Sequence, residues 1–195
     1  AELVSTAWDV LGGSVRPEGR VLVYDDHGAE RGLAVVEFLA DKADLLGVSG
    51  IEVVTPDRHV GLDLATPLGP TYLRMLYEGG VTMTPDHRLV AVESTGGGFL
   101  RAVLRNEYTR AEVDRMVDAV VVEHGVAPDE DLYVTLREGS ANGGVVDLEA
   151  LIGGRAQPAF TGTDGGYLLY RVGDCVASRD VASALLDARR LLQHL

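Results

Sequence analysis

A chain of 195 residues, 46% of them hydrophobic, can enclose one substantial core or two small ones, so disorder is excluded as a description of the whole. The formal net charge of −13 argues against nucleic acid as a partner, because an acidic surface repels a phosphate backbone. The single cysteine, Cys175, excludes an internal disulfide framework and a cysteine metal cluster within this chain.

The sequence shows no membrane or secretion signal. No apolar run approaches the roughly 20 residues that a membrane-spanning helix needs, so we expect no membrane partner. The first residues lack the basic start and apolar centre of a signal peptide, which predicts a cytoplasmic protein. The chain begins with Ala1 instead of an initiator methionine, which indicates a fragment or a processed chain.

Residues 1–16 are interpreted as an extended segment that leads into the first domain. Trp8 within this segment has two interpretations, a docking side chain and an ordinary core residue. A turn containing proline and glycine at 17–19 then separates the segment from the first clear element of secondary structure.

The pattern from residue 20 to residue 56 is that of a strand–helix–strand unit. Short apolar runs predict strands over 20–25 and 51–56, and a helix is predicted over 29–42, followed by an enlarged surface loop at 43–50. The apolar positions that repeat on one face of this helix are Ala29, Leu33, Val36 and Ala40. Such a unit almost always crosses over right-handed into a parallel sheet.

The middle of the chain changes character after a further helix and strand, predicted at 67–79 and 81–83. Strands at 89–93 and 99–104 flank the run Gly96-Gly97-Gly98, which favours an antiparallel hairpin over a phosphate-binding turn. The remaining predicted elements are a polar connection at 108–115, a buried strand at 118–123, a short helix at 128–136, an irregular region at 139–154 with a helical turn at 145–151, a loop at 158–166, a strand at 167–172 and a helix at 176–194.

These elements together predict an α/β protein. Strands that alternate with helices are typical of a parallel sheet covered by helices, and the hairpin adds an antiparallel element. The expected architecture is a Rossmann-like, three-layer nucleotide-binding fold with a parallel sheet and an antiparallel hairpin.

The turn after the first strand lacks the usual glycine pattern of a dinucleotide-binding loop. The G-x-G-x-x-G positions read Asp26-His27-Gly28-Ala29-Glu30-Arg31, with Gly32 next. Gly28 and Gly32 are the candidate cofactor-binding residues. Asp25, Asp26 and Glu30 place negative charges where a diphosphate would rest, and two like charges 4 Å apart repel by about 1 kcal/mol even in water.

The sequence therefore predicts a loop that keeps its shape without binding phosphate. Replacement of Asp26 and Glu30 by glycine is expected to raise nucleotide affinity if charge and shape alone block binding. Asp57, after the second strand, is a candidate for binding the adenine ribose, but an ordinary turn residue is the favoured interpretation.

Histidine and carboxylate residues offer weak evidence for a metal site. Asp25, Asp26 and His27 carry ligand groups, but adjacent residues on one turn cannot all point at one ion. The other histidines, His59, His87 and His124, lack metal-binding spacing, so we expect no metal.

The pair Gly173-Asp174 follows a predicted strand near the C-terminus and precedes the last helix. Together with Tyr167-Leu168-Leu169-Tyr170-Arg171-Val172, it resembles the second flavin motif of disulfide-reductase-type flavoproteins. In that motif the aspartate holds the ribityl chain of FAD. Cys175, next in the chain, is interpreted as a small buried residue, with a thiol activated by the helix dipole as the alternative.

Several stretches in order resemble the C-terminal part of multidomain NADH:flavin oxidoreductases. The resemblance is to trimethylamine, histamine and dimethylglycine dehydrogenase-like members, which are relatives of 2,4-dienoyl-CoA reductase. The matching stretches are Ala7-Trp8-Asp9-Val10-Leu11, Arg20-Val21-Leu22-Val23-Tyr24-Asp25-Asp26-His27-Gly28, residues 118–125 and Tyr170-Arg171-Val172-Gly173-Asp174-Cys175.

The resemblance implies a domain arrangement. An FMN-bearing barrel and a 4Fe-4S cluster would come first, followed by an FAD- or ADP-binding domain with an NAD(P)-type domain nested inside it. Residues 1–16 would be a connecting strand of the outer domain, 17–105 the nested domain, and 106–195 the return to the outer domain with its closing strand and helix. No cofactor is expected to bind tightly to this chain alone.

The chain departs from the family pattern where NAD(P)H-binding relatives carry glycines, and it lacks the barrel, the cysteine cluster and the outer domain's own glycine motif. The resemblance therefore implies a structural, non-catalytic domain of a flavin-dependent oxidoreductase. Its partners would be the upstream domains and an electron-transfer protein. The alternatives are a free-standing NAD(P)-binding oxidoreductase domain and a non-enzymatic interaction module.

Overall fold

A computed structural model of the protein describes residues 4–64, 67–158 and 166–192. The chain forms two compact units, unit 1 from Ala1 to His124 and unit 2 from Gly125 to Leu195. The division into a nested domain at 17–105 and outer segments at 1–16 and 106–195 concerns a longer polypeptide and stays a prediction.

Unit 1 contains two sheets and the helices that cover one of them. Its elements, in chain order, are β1 (Ser5–Thr6), α1 (Ala7–Leu11), β2 (Gly19–Asp25), α2 (Glu30–Asp41), α3 (Ala43–Leu46), β3 (Val48–Val54), α4 (Gly69–Glu78), β4 (Thr82–Thr84), β5 (His87–Ser94), β6 (Leu100–Asn106), β7 (Glu112–Val117) and β8 (Ala119–Glu123). One sheet is parallel, in the order β1-β8-β2-β3-β4, and the other is antiparallel, in the order β5-β6-β7. The predicted α/β fold with a parallel sheet and an antiparallel hairpin is confirmed.

The central strand β2 faces a separate apolar core on each side. Val21 and Val23 pack with buried residues of α1, α2 and α4. Leu22 and Tyr24 pack with buried residues of the antiparallel sheet. Because side chains alternate along a strand, one short apolar run joins the two cores and creates three layers. The layers are helices, parallel sheet and antiparallel sheet.

The predicted strand–helix–strand unit is present as β2, α2 and β3, with β2 and β3 paired in parallel. The surface loop predicted at 43–50 is wrong. Residues 43–46 form the short helix α3, Gly47 ends it with a φ of 74°, and β3 already begins at Val48. Glycine adopts this left-handed conformation without steric cost, so the chain turns directly from helix to strand.

The extended segment predicted over residues 1–16 is also wrong in part, because β1 is followed at once by α1. Thr6 and Asp9 form a capping box in which Thr6 Oγ1 accepts the Asp9 N–H at 3.2 Å and Asp9 Oδ2 accepts the Thr6 N–H at 2.8 Å. This reciprocal pair satisfies main-chain donors at the helix start and explains why a helix as short as α1 forms.

The polar connection predicted at 108–115 contains most of strand β7. Its charged residues hid the strand signal, because β7 is an edge strand and exposes several polar side chains. Asp114 accepts a hydrogen bond from Arg101 Nε of β6 at 2.8 Å, so a charge that suggested a loop instead connects neighbouring strands.

Unit 2 is helical in the residues described. It contains α5 (Asp131–Arg137), α6 (Leu148–Ile152), a 3-10 helix (Gly173–Cys175) and α7 (Val181–Leu192). The last helix begins later than the predicted residue 176, because Asp180 Oδ1 accepts the Ser183 N–H at 2.6 Å and caps it. The loop predicted at 158–166 lies almost entirely outside the described residues. No helix in the described ranges is both long and apolar enough to cross a membrane.

The strand predicted at 167–172 is wrong for this unit. Its one described ladder contact is a single bridge between Ser140 and Tyr167. The buried carboxamide of Asn142 accepts the Leu169 N–H at 2.9 Å and donates to the Leu169 carbonyl at 2.8 Å. In the described part of unit 2, the Asn142 side chain therefore takes the place that a neighbouring strand would have at Leu169.

Leu104→Ala tests whether apolar contact holds the antiparallel sheet on the parallel one. Leu104 is 0% exposed, and its truncation leaves a cavity, so the free energy of unfolding should fall by about 2–5 kcal/mol. Leu45 is 82% exposed, so Leu45→Ala is the matched control and should cost less than about 0.5 kcal/mol. Urea unfolding followed by circular dichroism measures both, and equal losses would contradict this packing.

Candidate functional site

At the carboxyl end of β2 the order in which the chain adds strands to the parallel sheet reverses, which makes this end a topological switch point. From β2 the chain passes through α2 to β3 on one side, while β8 lies on the other side. In open α/β sheets, ligands bind in the crevice outside the strand ends at such a switch point. The loop at 25–29 and the end of β8 therefore frame the candidate site.

Asp25, the last residue of β2, fills the centre of this loop. The residue is 1% exposed, and its Oδ1 accepts hydrogen bonds from the main-chain N–H groups of His27 and Gly28, both at 3.0 Å. Its Oδ2 is buried and has no hydrogen-bond partner among the described residues. A phosphate group would use the same loop amides, so the chain's own carboxylate occupies them.

Gly32, in the first turn of α2, leaves room for Asp25. A Cβ atom built on Gly32 would overlap the Oδ2 and Cγ atoms of the Asp25 side chain. Gly32 therefore allows the close approach of the Asp25 carboxylate to the first turn of α2.

The electrostatics of Asp25 reflect this enclosure. Burial raises the pKa of Asp25 above its ordinary value, hydrogen bonds from the Gly28 and His27 amides act in the opposite direction, and the charge of Glu123 raises the pKa further. Desolvation dominates because the amides stabilise one oxygen while the other has no donor.

Glu123 ends β8 and binds the basic residue of the first turn of α2. The residue is 2% exposed, and its Oε1 lies 3.4 Å from Arg31 Nε. The Arg31 guanidinium also lies over the Trp8 ring, 5.6 Å from the centroid, in a cation–π contact. Trp8 is 59% exposed, so its interpretation as a core residue is wrong.

Asp26 points to a different partner. Both its carboxylate oxygens lie 3.0 Å from Nδ1 of His124, whose ring packs edge-on against Tyr24. Burial, and next the Asp26 carboxylate, raise the pKa of Tyr24 to about 12. Asp25 and Asp26 therefore have separate partners, and the described residues contain no group of three or more His, Cys, Asp or Glu side chains placed to hold a metal ion.

A second segment crosses the loop. The Asp63 N–H donates to the Gly28 carbonyl at 3.0 Å, and a Cβ built on Gly28, whose φ is 69°, would lie 3.1 Å from Asp57 Oδ2. Asp57 lies in the bend after β3, where its N–H donates to Thr55 Oγ1 at 3.2 Å. Burial raises the pKa of Asp57, and the charge of Asp63 adds to the effect. This segment, 57–63, narrows the crevice beside Gly28.

The residues at this switch point do not fit a bound diphosphate. The loop amides are engaged by Asp25, the cation of the first turn is paired with Glu123, and a further carboxylate lies against Gly28. The cofactor-binding roles of Gly28 and Gly32 stay predictions.

Gly173 and Asp174 lie apart from this crevice along the chain, in the 3-10 helix of unit 2. Gly173 has a φ of 62°, and a Cβ built on it would lie 2.9 Å from Ala184 Cβ, so glycine permits close packing on α7. Asp174 is exposed and presents a carboxylate that can accept hydroxyl hydrogen bonds. The flavin-binding roles of Gly173 and Asp174 stay predictions. Cys175 is free and half-buried.

Sequence reasoning missed the bonding role of Asp25, because it grouped Asp25 with Asp26 and Glu30 as repelling charges. Glu30 is exposed, and Asp26 pairs with a histidine 98 residues away, which no local pattern reveals. The available signal was the preference of aspartate for accepting the N–H groups that follow it in a turn.

Gly32→Ala should destabilise unit 1, although alanine favours helices more than glycine does. The added methyl group overlaps the Asp25 carboxylate, so the free energy of unfolding should fall by about 1–3 kcal/mol. In an Asp25→Ala background the penalty should disappear. Gly69→Ala, with nothing within 4 Å of the new Cβ, is the control. Urea titration of the four variants is the measurement, and an additive double variant would contradict the contact.

Asp25→Asn should gain stability relative to the wild type as the pH rises. Because the folded pKa of Asp25 is raised, ionisation costs stability above that pKa, and the cost vanishes as the pH falls towards the value of the unfolded chain. Asparagine does not ionise, so the difference in unfolding free energy, variant minus wild type, should increase from about pH 4 to pH 7. Thermal unfolding across this pH range measures the difference in unfolding free energy. Asp44→Asn, which changes an exposed aspartate, is the control. A flat difference would contradict the burial.

No family model matches the chain. Among curated proteins, the N,N-dimethylglycine/sarcosine dehydrogenase of Chromohalobacter salexigens is 42% identical over 193 residues, which cover 97% of this chain and 27% of that protein. A probable N-methylproline demethylase of Rhizobium meliloti is 35% identical over 194 residues, covering 100% of this chain and 28% of that protein. The chain therefore spans little more than a quarter of the length of these relatives.

Solved structures with a similar fold are also known. The 6-hydroxypseudooxynicotine amine oxidase of Pseudomonas geniculata N1 matches with a TM-score of 0.70 at 18% identity, over 97% of this chain and 24% of that chain. The histamine dehydrogenase of Rhizobium sp. 4-9 matches with a TM-score of 0.66 at 20% identity, over 96% and 25%. The resemblance found in the sequence is confirmed: the chain matches one part of the family that includes dimethylglycine/sarcosine dehydrogenase and N-methylproline demethylase.

Proposed function

We propose that this chain is the C-terminal, dinucleotide-binding-like part of a multidomain flavin-dependent oxidoreductase or amine dehydrogenase, and that it is structural rather than catalytic alone. Support comes from the relatives, which match 97% and 100% of this chain with 27% and 28% of their own length. The parent enzyme would act on N-methylated amino acids, the class named in those relatives.

The observation that carries this proposal is the exposed apolar surface of unit 2. Each of the described α-helices of the unit carries large apolar side chains that are more than half exposed, and the buried apolar residues in its described part are Ala150 and Leu191. The exposed set comprises Leu132 (73%), Val134 (60%), Leu148 (65%), Ile152 (86%), Val181 (76%), Leu185 (67%) and Leu192 (64%). A soluble unit rarely leaves so much apolar surface uncovered, so we expect another part of the protein to cover it.

The segment 168–172 supports the same proposal. Leu168, Leu169 and Val172 make it rich in apolar residues, and the main-chain N–H and C=O of Leu169 are paired with the Asn142 carboxamide. A fully buried parallel strand has this composition and needs strands on both sides. We therefore propose that upstream segments of the same polypeptide cover unit 2. In the complete protein, residues 167–172 would join the sheet of those segments as the closing strand of the outer domain.

The flavin would then bind between this returning segment and the upstream sequence. Asp174 would accept a hydrogen bond from a ribityl hydroxyl of FAD, or from a ribose hydroxyl of ADP, with Gly173 keeping the turn close to α7. FMN and a 4Fe-4S cluster would belong to upstream domains, and a bound flavin would supply the electron transfer. An electron-transfer protein is the proposed acceptor.

Hydrogen exchange on the complete polypeptide and on this chain alone tests the proposal. The amides of 168–172 and α7 should exchange more slowly in the complete protein, because upstream segments cover them, while those of β2 should be unchanged. Leu185→Asp should lower flavin content and yield of the complete protein, whereas Leu45→Asp, at a more exposed leucine of unit 1, should not.

Equal exchange of 168–172 in both forms would contradict the proposal. NADH titrated into the isolated chain should leave its fluorescence unchanged, because Asp25 engages the loop amides. A saturable shift would instead favour a free-standing NAD(P)-binding domain.

A further inference from the structure

We infer that the loop after β2 is a latent phosphate-group site whose ligand position is filled by the Asp25 carboxylate, and that this one side chain, rather than the lost glycine pattern, blocks binding. The inference rests on the proposed function, in which unit 1 binds no nucleotide. It goes further by naming the blocking group and the class of ligand that its removal would admit, inorganic phosphate and pyrophosphate.

The anion-binding geometry of the loop is intact. The His27 and Gly28 N–H groups converge on one oxygen at 3.0 Å each, which is how successive amides of a phosphate loop hold an anion. Gly28 supplies the left-handed backbone, with a φ of 69°, that points its amide inward. The loop has therefore kept its donors although it has lost the glycine pattern.

The helix behind the loop is long enough to contribute. α2 has 12 residues, and its N-cap is Ala29, whose methyl group cannot accept a hydrogen bond from the first turn. The Asp25 Oδ2 atom lies against Gly32 of this turn, is buried, and has no hydrogen-bond partner among the described residues. The carboxylate therefore lies beside the first turn of α2, where the helix dipole favours an anion, and one of its two oxygens has no described hydrogen-bond donor.

The other acidic residues do not occupy this position. Asp26 pairs with His124, Glu30 is exposed to solvent, and Glu123 pairs with Arg31. Removing charge from Asp26 and Glu30 leaves the amides engaged, so the affinity gain expected from these two substitutions should not occur.

The crevice limits the size of the ligand. The segment 57–63 lies against Gly28, with Asp57 Oδ2 3.1 Å from a Cβ built there and Asp63 bonded to the Gly28 carbonyl. A phosphate group can replace a carboxylate at the amides, but the nucleoside parts of a dinucleotide would meet this segment. Pyrophosphate should therefore bind the opened loop at least as well as NADH.

Calorimetric titration of the full chain with inorganic pyrophosphate, in a phosphate-free buffer, tests the inference. Asp25→Gly should bind at least about tenfold more tightly than the wild type, a change of about 1.4 kcal/mol. The NMR resonances of the His27 and Gly28 amides should move on titration. Orthophosphate should move the same resonances with lower affinity.

Two controls separate occupancy from charge. Asp25→Asn removes the charge but keeps an oxygen that can accept both amides, so it should bind like the wild type. The double variant Asp26→Gly/Glu30→Gly removes two charges and leaves Asp25 in place, so it should also bind like the wild type. Asp25→Ala, judged by circular dichroism and by a rise in Tm with pyrophosphate, serves if the glycine variant folds poorly.

The inference is overturned if Asp25→Gly and Asp25→Ala fold but bind no more tightly than the wild type, or if Asp25→Asn binds as tightly as Asp25→Gly. Either result leaves the proposed function standing. Tight binding of pyrophosphate or NADH by the wild-type chain, with the same two resonances moving, would instead remove the proposal that unit 1 binds no nucleotide.

Discussion

The hydrogen bonds from the His27 and Gly28 amides to the Asp25 carboxylate fix the junction between β2 and α2, on which the candidate site of unit 1 depends. They join the end of the central strand to the loop at 25–29, and the second carboxylate oxygen rests against the first turn of α2. A strand, a loop and a helix are thereby held by one side chain that is almost fully buried. In a dinucleotide-binding protein, the ligand itself would link these three elements.

The features predictable from sequence were those with local, periodic signals. The apolar alternation of β2, the helical repeat of α2 and the glycine-rich turn between β5 and β6 each follow from residues close in the chain. The short helix α1 has only a weak local signal, the spacing of Thr6 and Asp9 that allows a capping box. β7 was missed because its charges pair with a neighbouring strand that sequence alone does not position.

The site was harder to predict than the fold, because the partners of its charged residues lie far away in the sequence. Acidic residues near a phosphate loop were expected to act alike, but burial and partners differ among them. Asp25 turns inward to amides, Asp26 turns to His124, and Glu30 faces solvent. Only the placement of β8 beside β2 brings Glu123 and His124 to the loop, and strand order is not written in any single stretch of residues.

The two units differ in how completely they bury their apolar residues. Unit 1 has a core on each face of its parallel sheet, as expected for a unit that can fold by itself. Unit 2 keeps most of its large apolar side chains at the surface. The contrast supports the proposal that another part of the protein covers unit 2.

Asn142 has a consequence for the chain when it is produced by itself. An extended apolar run with free main-chain groups is a template for association with other copies, and such exposed edges lead to aggregation. The carboxamide of Asn142 forms hydrogen bonds with both the N–H and the C=O of Leu169, in the middle of this run. Asn142 therefore removes one pairing point for a foreign strand in the middle of the run.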